Sequence, residues 1–185
     1  MELLVVEKAG PQDAPSLLAL RHALEAWLES LGVEQWGRGE VVLSDVVRQV
    51  AEGEWWVVRA DDEGLLAALR LLWSDEPVWQ RDNGPAAYVH GLMVNRADAG
   101  RGVGAGLLRW AEAQARAAGA PCLRLDCVES NARLRAYYAA QGFAEVGRRD
   151  FDGPWFSAVL LEKELPPPSV QRQTARRTRL PARAG

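Results

Sequence analysis

Residues 88–118 read YVHGLMVNRADAGRGVGAGLLRWAEAQARAA, and the fold turns on what this stretch does. Tyr88 to Val94 has the apolar pattern of a strand, a polar turn follows, and from Leu107 the chain is rich in alanine and leucine, as a helix would be. Between them stands Arg101-Gly102-Val103-Gly104-Ala105-Gly106, with three glycines in five positions where the helix has to begin. Glycines there let the backbone come close to something that side chains would block. The first amides of a helix lack intrahelical acceptors and sit at the positive end of its dipole, so an anion is their natural occupant. The stretch reads as a cradle for a diphosphate. The plainer reading is a tight turn that only packs a helix on a strand.

Spacing separates this turn from other glycine-rich loops. A Walker-type loop ends in Gly-Lys-Ser/Thr, whereas Gly106 is followed by Leu107-Leu108. A Rossmann fingerprint directly follows the first strand of its unit, whereas these glycines come about seven residues after a strand and about 100 residues into the chain. That placement disfavours a dinucleotide.

A second block lies downstream: Asn131 stands seven residues before Tyr138, which stands four before Gly142-Phe143. Arg-Gly-x-Gly-x-Gly after a strand carrying Leu-Met-Val, followed by this block in this order, resembles the GNAT superfamily of acyl-CoA-dependent N-acetyltransferases. The likeness is specific over about residues 86–143 and topological elsewhere. It implies an α/β fold with a mixed central sheet of about six to seven strands and helices on both faces. It also implies acetyl-CoA as acyl donor. No metal is expected, because the only two histidines, His22 and His90, show no clustered spacing. Direct attack by an amine in a ternary complex is expected, because no Ser/His or Cys/His arrangement for a covalent intermediate is evident. In the family pattern the loop Arg101, Gly102, Val103, Gly104, Ala105 and Gly106 holds the pyrophosphate through its amides. The strand at Leu92, Met93 and Val94 binds the acetyl carbonyl and the pantetheine arm, with the Leu92 amide polarising the thioester. Tyr138 protonates the departing thiolate, and Tyr137 packs. Asn131 stands near the pantetheine, or simply starts the helix.

The general base is not given by the resemblance. Many members carry Glu where this chain has Tyr88. His90 is expected to share strand parity with Tyr88 and Leu92, and an imidazole titrating near neutrality suits a base; a histidine hydrogen-bonded in the core is the alternative. The missing acid also keeps open a non-catalytic acyl-CoA-binding or partner-binding module on the same fold.

Composition bounds the rest. A chain of 185 residues, 48% hydrophobic and 25% charged, suits one soluble domain. No apolar run is long enough for a membrane helix, and Met1 to Glu7 lacks the features of a signal peptide, so a cytoplasmic protein is expected, with no membrane partner. Cys122 and Cys127 fall on one strand, roughly 16 Å apart and on opposite faces, beyond disulfide reach. Residues 166–185 hold five arginines and no acid, which leaves a body of net charge about −8. An acidic body argues against a nucleic-acid partner and favours a cationic amine, carried on a small molecule or a peptide. Trp36, Trp79 and Trp155, in expected loops, and Tyr88 are candidate acceptor contacts, with Asp75, Glu76, Asp82 or Asp152 supplying charge. Tryptophans would serve a homodimer interface equally well.

Periodicity and breakers predict strands over Leu3–Ala9, Trp55–Ala60, Leu65–Trp73, Ala86–Val94, Cys122–Val128, about Ala144–Arg149 and Ser157–Glu164. Helices are expected after Asp13 or Ser16, over Leu43–Glu52 with Ser44 as cap, after the glycine turn, and over Asn131–Gln141 with Ser130 as cap. Ser74–Pro85 is expected to be a polar loop, and Glu112 with Arg116 an exposed pair. The domain should span 1–165, with 166–185 a disordered Pro/Arg-rich tail.

Overall fold

The short aliphatic runs pair into one sheet, and the helices cover its two faces. The computed structural model describes residues 4–33, 35–37, 39–60, 64–80, 84–151 and 157–166. Its strands are β1 (Glu7–Lys8), β2 (Trp55–Arg59), β3 (Leu65–Leu72), β4 (Ala87–Val94), β5 (Cys122–Val128), β6 (Ala144–Arg149) and β7 (Ala158–Glu164), in the spatial order β1-β2-β3-β4-β5-β7-β6. Every neighbouring pair is antiparallel except β4 and β5, which run parallel at the centre. The helices are α1 (Ala14–Ser30), α2 (Leu43–Ala51), α3 (Glu76–Trp79), α4 (Val103–Ala117) and α5 (Ala132–Ala140). The expected α/β class, mixed sheet and helices on both faces are all present.

Each face has its own core. On one, Leu107, Leu108, Ala111 and Ala115 of α4 pack on Leu69, Ala87, Val89, Leu123, Leu125 and Leu161. On the other, Leu17, Leu20 and Leu24 of α1 and Val46 and Val50 of α2 pack on Trp55, Val57, Ala68 and Met93. A fully buried leucine among these contributes about 1.5–3 kcal/mol relative to an exposed one. The two cysteines are free and buried, Cys122 and Cys127 joining different clusters as their odd spacing requires.

The feature that positions the site is a bulge in β4. Arg70 pairs with His90 and Ala68 with Met93, so Gly91 and Leu92 together oppose Leu69. Gly91 has φ +55°, and a Cβ there would lie 2.9 Å from the Trp55 ring, so both backbone and space demand glycine. The extra residue reverses the alternation of side chains. His90 shares its face with Met93 and the α1/α2 helices, whereas Leu92 and Val94 pack toward α4. The expected shared parity of His90 and Leu92 is therefore wrong, because alternation was counted through a residue that the ladder skips. The β4–β5 ladder runs from Ala87↔Leu123 to Val89↔Leu125 and ends there, one residue before His90. Beyond it the two central strands diverge.

Other expectations shift at their edges. Of the described residues 4–9 only Glu7 and Lys8 form strand β1, and the region expected to be a polar loop contains α3. Helix α2 starts after Val42, whose amide donates to the Asp45 carboxylate (3.5 Å), so Ser44 is not its cap. Helix α5 is capped by Asn131 rather than Ser130. Glu112 is buried, not exposed, and is held by Lys163 as well as Arg116. Among the described residues no helix is long and apolar enough to cross a membrane. The tail beyond Pro166, Trp155, Asp82 and Asp152 lie outside the described residues.

Candidate active site

A cleft of about 1370 Å³ opens where β4 and β5 part. Its walls come from both faces of the sheet: Leu17, Leu24 and Trp27 of α1 and Trp36 of the following loop on one side, Gly102 to Ala105, Asn131, Tyr137 and Tyr138 on the other. The floor is β4 from Val89 to Leu92, with Asp126 of β5 beside it.

At one end stands the start of α4. Gly102 precedes the helix at φ +79°, a conformation that lets the chain turn abruptly into the first turn. The first helical bond runs from the Gly106 amide to the Gly102 carbonyl (2.9 Å), so the amides of Val103, Gly104 and Ala105 have no intrahelical acceptor. A Cβ on Gly104 would meet the Tyr137 hydroxyl at 2.9 Å and Val94 at 3.6 Å, so a side chain here would intrude on the cleft. These free amides, at the positive end of a 15-residue helix, fit a diphosphate. Of the expected loop, Gly102 to Ala105 line the cleft. Arg101 instead points outward in an ion pair with Asp98, and Gly106 faces Leu4.

At the other end His90 sits between two carboxylates. Its Nε2 lies 2.8 Å from Asp75 Oδ2, and its Nδ1 lies 3.6 Å from Asp126 Oδ1. Burial pulls the imidazole toward neutrality, but the hydrogen bond to Asp75 and the charges of Asp126 and Asp75 outweigh it, so its pKa is raised above 6.5 despite the opposing Arg70. Asp126 is raised as well, by burial first and by the nearby charge of Asp75, with His90 acting against both. The three ligand-type atoms lie within 4.8 Å of one another. Because each imidazole nitrogen faces a different carboxylate, the arrangement suits relaying a proton better than gripping one ion.

Tyr138 lies between these ends, buried and edge-on to Tyr137 and Phe143. Burial, then the charges of Cys127, Tyr137 and Asp126, hold its phenol protonated far beyond neutral pH. Asn131 accepts from the Leu134 amide (3.0 Å) as the helix cap, and its Nδ2 donates to Gln35 (3.2 Å) across the cleft. Of the two roles weighed for Asn131, the helix start is what the geometry displays. Leu92 and Val94 line the cleft; Met93 is buried on the opposite face.

The acceptor candidates divide. Trp36 lines the cleft, its ring covered by the Arg21 guanidinium at 3.9 Å. Trp79 and Tyr88 do not line it. They form a buried cluster with Arg124, which donates to the Tyr88 hydroxyl (3.1 Å) and stacks on Trp79 at 4.8 Å. The expectation that they touch the acceptor fails because α3 folds Trp79 inward, and Trp79, Cys122 and Arg124 bury Tyr88 on the same face as His90 but outside the cleft. Trp79 has another effect: its amide closes the turn onto the Asp75 carbonyl (2.8 Å), which seats Asp75 against His90. Sequence reasoning missed Asp126. The signal was available, since a carboxylate in the mostly apolar run Cys122-Leu123-Arg124-Leu125-Asp126-Cys127-Val128 has to be accounted for by burial or by use.

Residues 20–143 match the family model described as the acetyltransferase (GNAT) family. The chain belongs to this family. It is 32% identical over 163 residues, 83% of this chain and 86% of the other, to the uncharacterized N-acetyltransferase YesJ of Bacillus subtilis (strain 168). Among solved structures, a GNAT-family acetyltransferase of Listeria monocytogenes superposes with TM-score 0.73 at 26% identity, covering 88% of this chain and 95% of that one. The ribosomal-protein-alanine N-acetyltransferase of Brucella melitensis shares the fold at TM-score 0.66 and 20% identity, covering 88% of this chain and 100% of that one. This GNAT chain is thus an acyltransferase, and its glycine turn, bulged strand and parted β4–β5 ladder occupy a single cleft.

Proposed function

We propose that the protein transfers an acetyl group from acetyl-CoA to a primary amine of a small organic acceptor, by direct attack in a ternary complex. The observation that carries this reading is that one cleft joins the free amides of α4 to the His90–Asp126 pair, with Tyr138 between them. The amides of Val103 to Ala105 would hold the donor's diphosphate, and the β4 backbone at Leu92 would face its acetyl carbonyl and pantetheine arm.

His90 takes one proton from the acceptor ammonium. The freed nitrogen lone pair forms the C–N bond, the C–S bond breaks with its electrons on sulfur, and Tyr138 supplies the proton to that sulfur. The second nitrogen proton, shed as the amide forms, restores Tyr138 through solvent. Asp75 orients the imidazole. A covalent acyl-cysteine is disfavoured, because burial pushes the Cys127 thiol up to about 12 and the Cys122 thiol up to about 11. The catalytic unit is read as residues 1–165, acting in the cytoplasm without nucleic acid or membrane.

Calorimetric titration with acetyl-CoA, with NAD and ATP as controls, followed by thiol release against a panel of amines, tests the proposal. Binding of acetyl-CoA alone with amine-dependent thiol release is expected. Binding with no release from any amine would leave the fold as an acyl-CoA-binding module, and no binding would overturn the assignment of the glycine turn.

A further inference from the structure

The acceptor end of the cleft has its own chemistry. Two of its described cations are already engaged, Arg21 with Glu25 (2.7 Å) and Arg70 with Glu54 (3.0 Å). The Trp55 indole N–H donates to Gln49 (3.0 Å). Two of the indole faces are taken too, Trp36 by Arg21 and Trp27 by Arg96 at 3.7 Å. This corrects the expectation that an acceptor cation would lie against that face of Trp36, since the protein's own Arg21 guanidinium occupies it. What the wall offers an incoming molecule is mainly ring edges and the aliphatic surface of Leu17, Leu24 and Val46.

One polar invitation remains. Nε2–H of His90 donates to Asp75, so in the neutral imidazole Nδ1 carries a lone pair. Asp126 Oδ1 stands 3.6 Å from Nδ1, too far for a hydrogen bond between them, and with the ring neutral the two acceptors repel unless something stands in between. Two acceptors at this separation are spanned by one nitrogen that donates a hydrogen bond to each, which an ammonium group does and a hydroxyl or a carboxylate cannot.

We propose that the acceptor is a primary amine with a single cationic head on an apolar, ring-sized body, its ammonium bridging Asp126 and Nδ1 of His90. This rests on the transfer reading above and narrows it. Polyamines and aminoglycosides would bring further charges and hydroxyls to a wall whose described acids beyond Asp126, such as Glu40 and Asp98, already face Arg21 and Arg101. A carboxylate beside the amine would face Asp126.

The test is steady-state thiol release by the full chain at saturating acetyl-CoA, with 2-phenylethylamine, spermidine, kanamycin, phenylalanine and a tetrapeptide with a free N-terminus as acceptors. The expected kcat/KM for 2-phenylethylamine exceeds every other by at least about tenfold. Asp126→Asn should raise its KM at least about tenfold, while calorimetry shows acetyl-CoA affinity within about twofold of the parent. If thiol is released but spermidine, kanamycin, phenylalanine or the peptide is preferred, the transfer reading stands and the acceptor assignment falls. If acetyl-CoA binds and no amine releases thiol, both fall. The acceptor ranking in the unaltered protein decides the matter even if the variant is poorly folded.

Discussion

His90 is gripped at Nε2 by Asp75, and its raised pKa works in opposite directions on stability and on catalysis. A histidine whose folded value lies above 6.5 stabilises the fold fully below pH 6.5, and loses that contribution as pH rises through the folded value. The neutral imidazole that can accept a proton grows over the same rise. With saturating acceptor, kcat should therefore climb through an apparent pKa above 6.5, and Asp75→Asn should move that limb to lower pH. A profile unmoved by Asp75→Asn would remove the dyad from proton transfer. Tyr138→Phe keeps the ring stack and loses only the hydroxyl. Turnover should fall at least about tenfold with acetyl-CoA affinity retained, and full activity would remove Tyr138 from the mechanism. The residues of the second block were legible as a motif because their spacing is local. Asp126, and the pairing of Asp75 with His90, were not, since these residues meet only after three separate segments have folded together.

At the scale of elements, two glycines make predictions of different kinds. Gly91→Ala would force φ +55° on a residue with a Cβ and press that Cβ on Trp55. The cost should be about 1–3 kcal/mol, measured as a lower urea midpoint, with loss of activity as the bulge relaxes. Gly104→Val has ordinary helical backbone but intrudes toward Tyr137, so the fold should survive while acetyl-CoA affinity falls at least about tenfold. Unchanged affinity would refute the cradle. Most elements were legible to within a residue or two, because Leu and Ala at helical spacing in α4 and the apolar run of β5 state their own period. The bulge was not. Gly91 looks like an ordinary strand residue, and only pairing with β3 reveals that the ladder skips a position.

At the scale of the whole molecule, stability rests on the two cores. Leu161→Ala, at a fully buried position between β5 and β6, should cost about 2–5 kcal/mol by denaturant unfolding yet leave the acceptor KM unchanged. The α/β class was readable from alternating strands and helices, but the insertion of β7 between β5 and β6 was not, since it is set by long-range pairing that no local pattern encodes. The bulge at Gly91 has a consequence at this scale too. His90 projects from one face of the sheet and Leu92 from the other, and both border the same cleft, so the opening passes through the sheet like a window frame. In the proposed reaction, donor and acceptor would then arrive from opposite sides, neither standing in the other's doorway. Under the ternary-complex proposal, their order of arrival would be free, and either substrate could wait in the frame for the other.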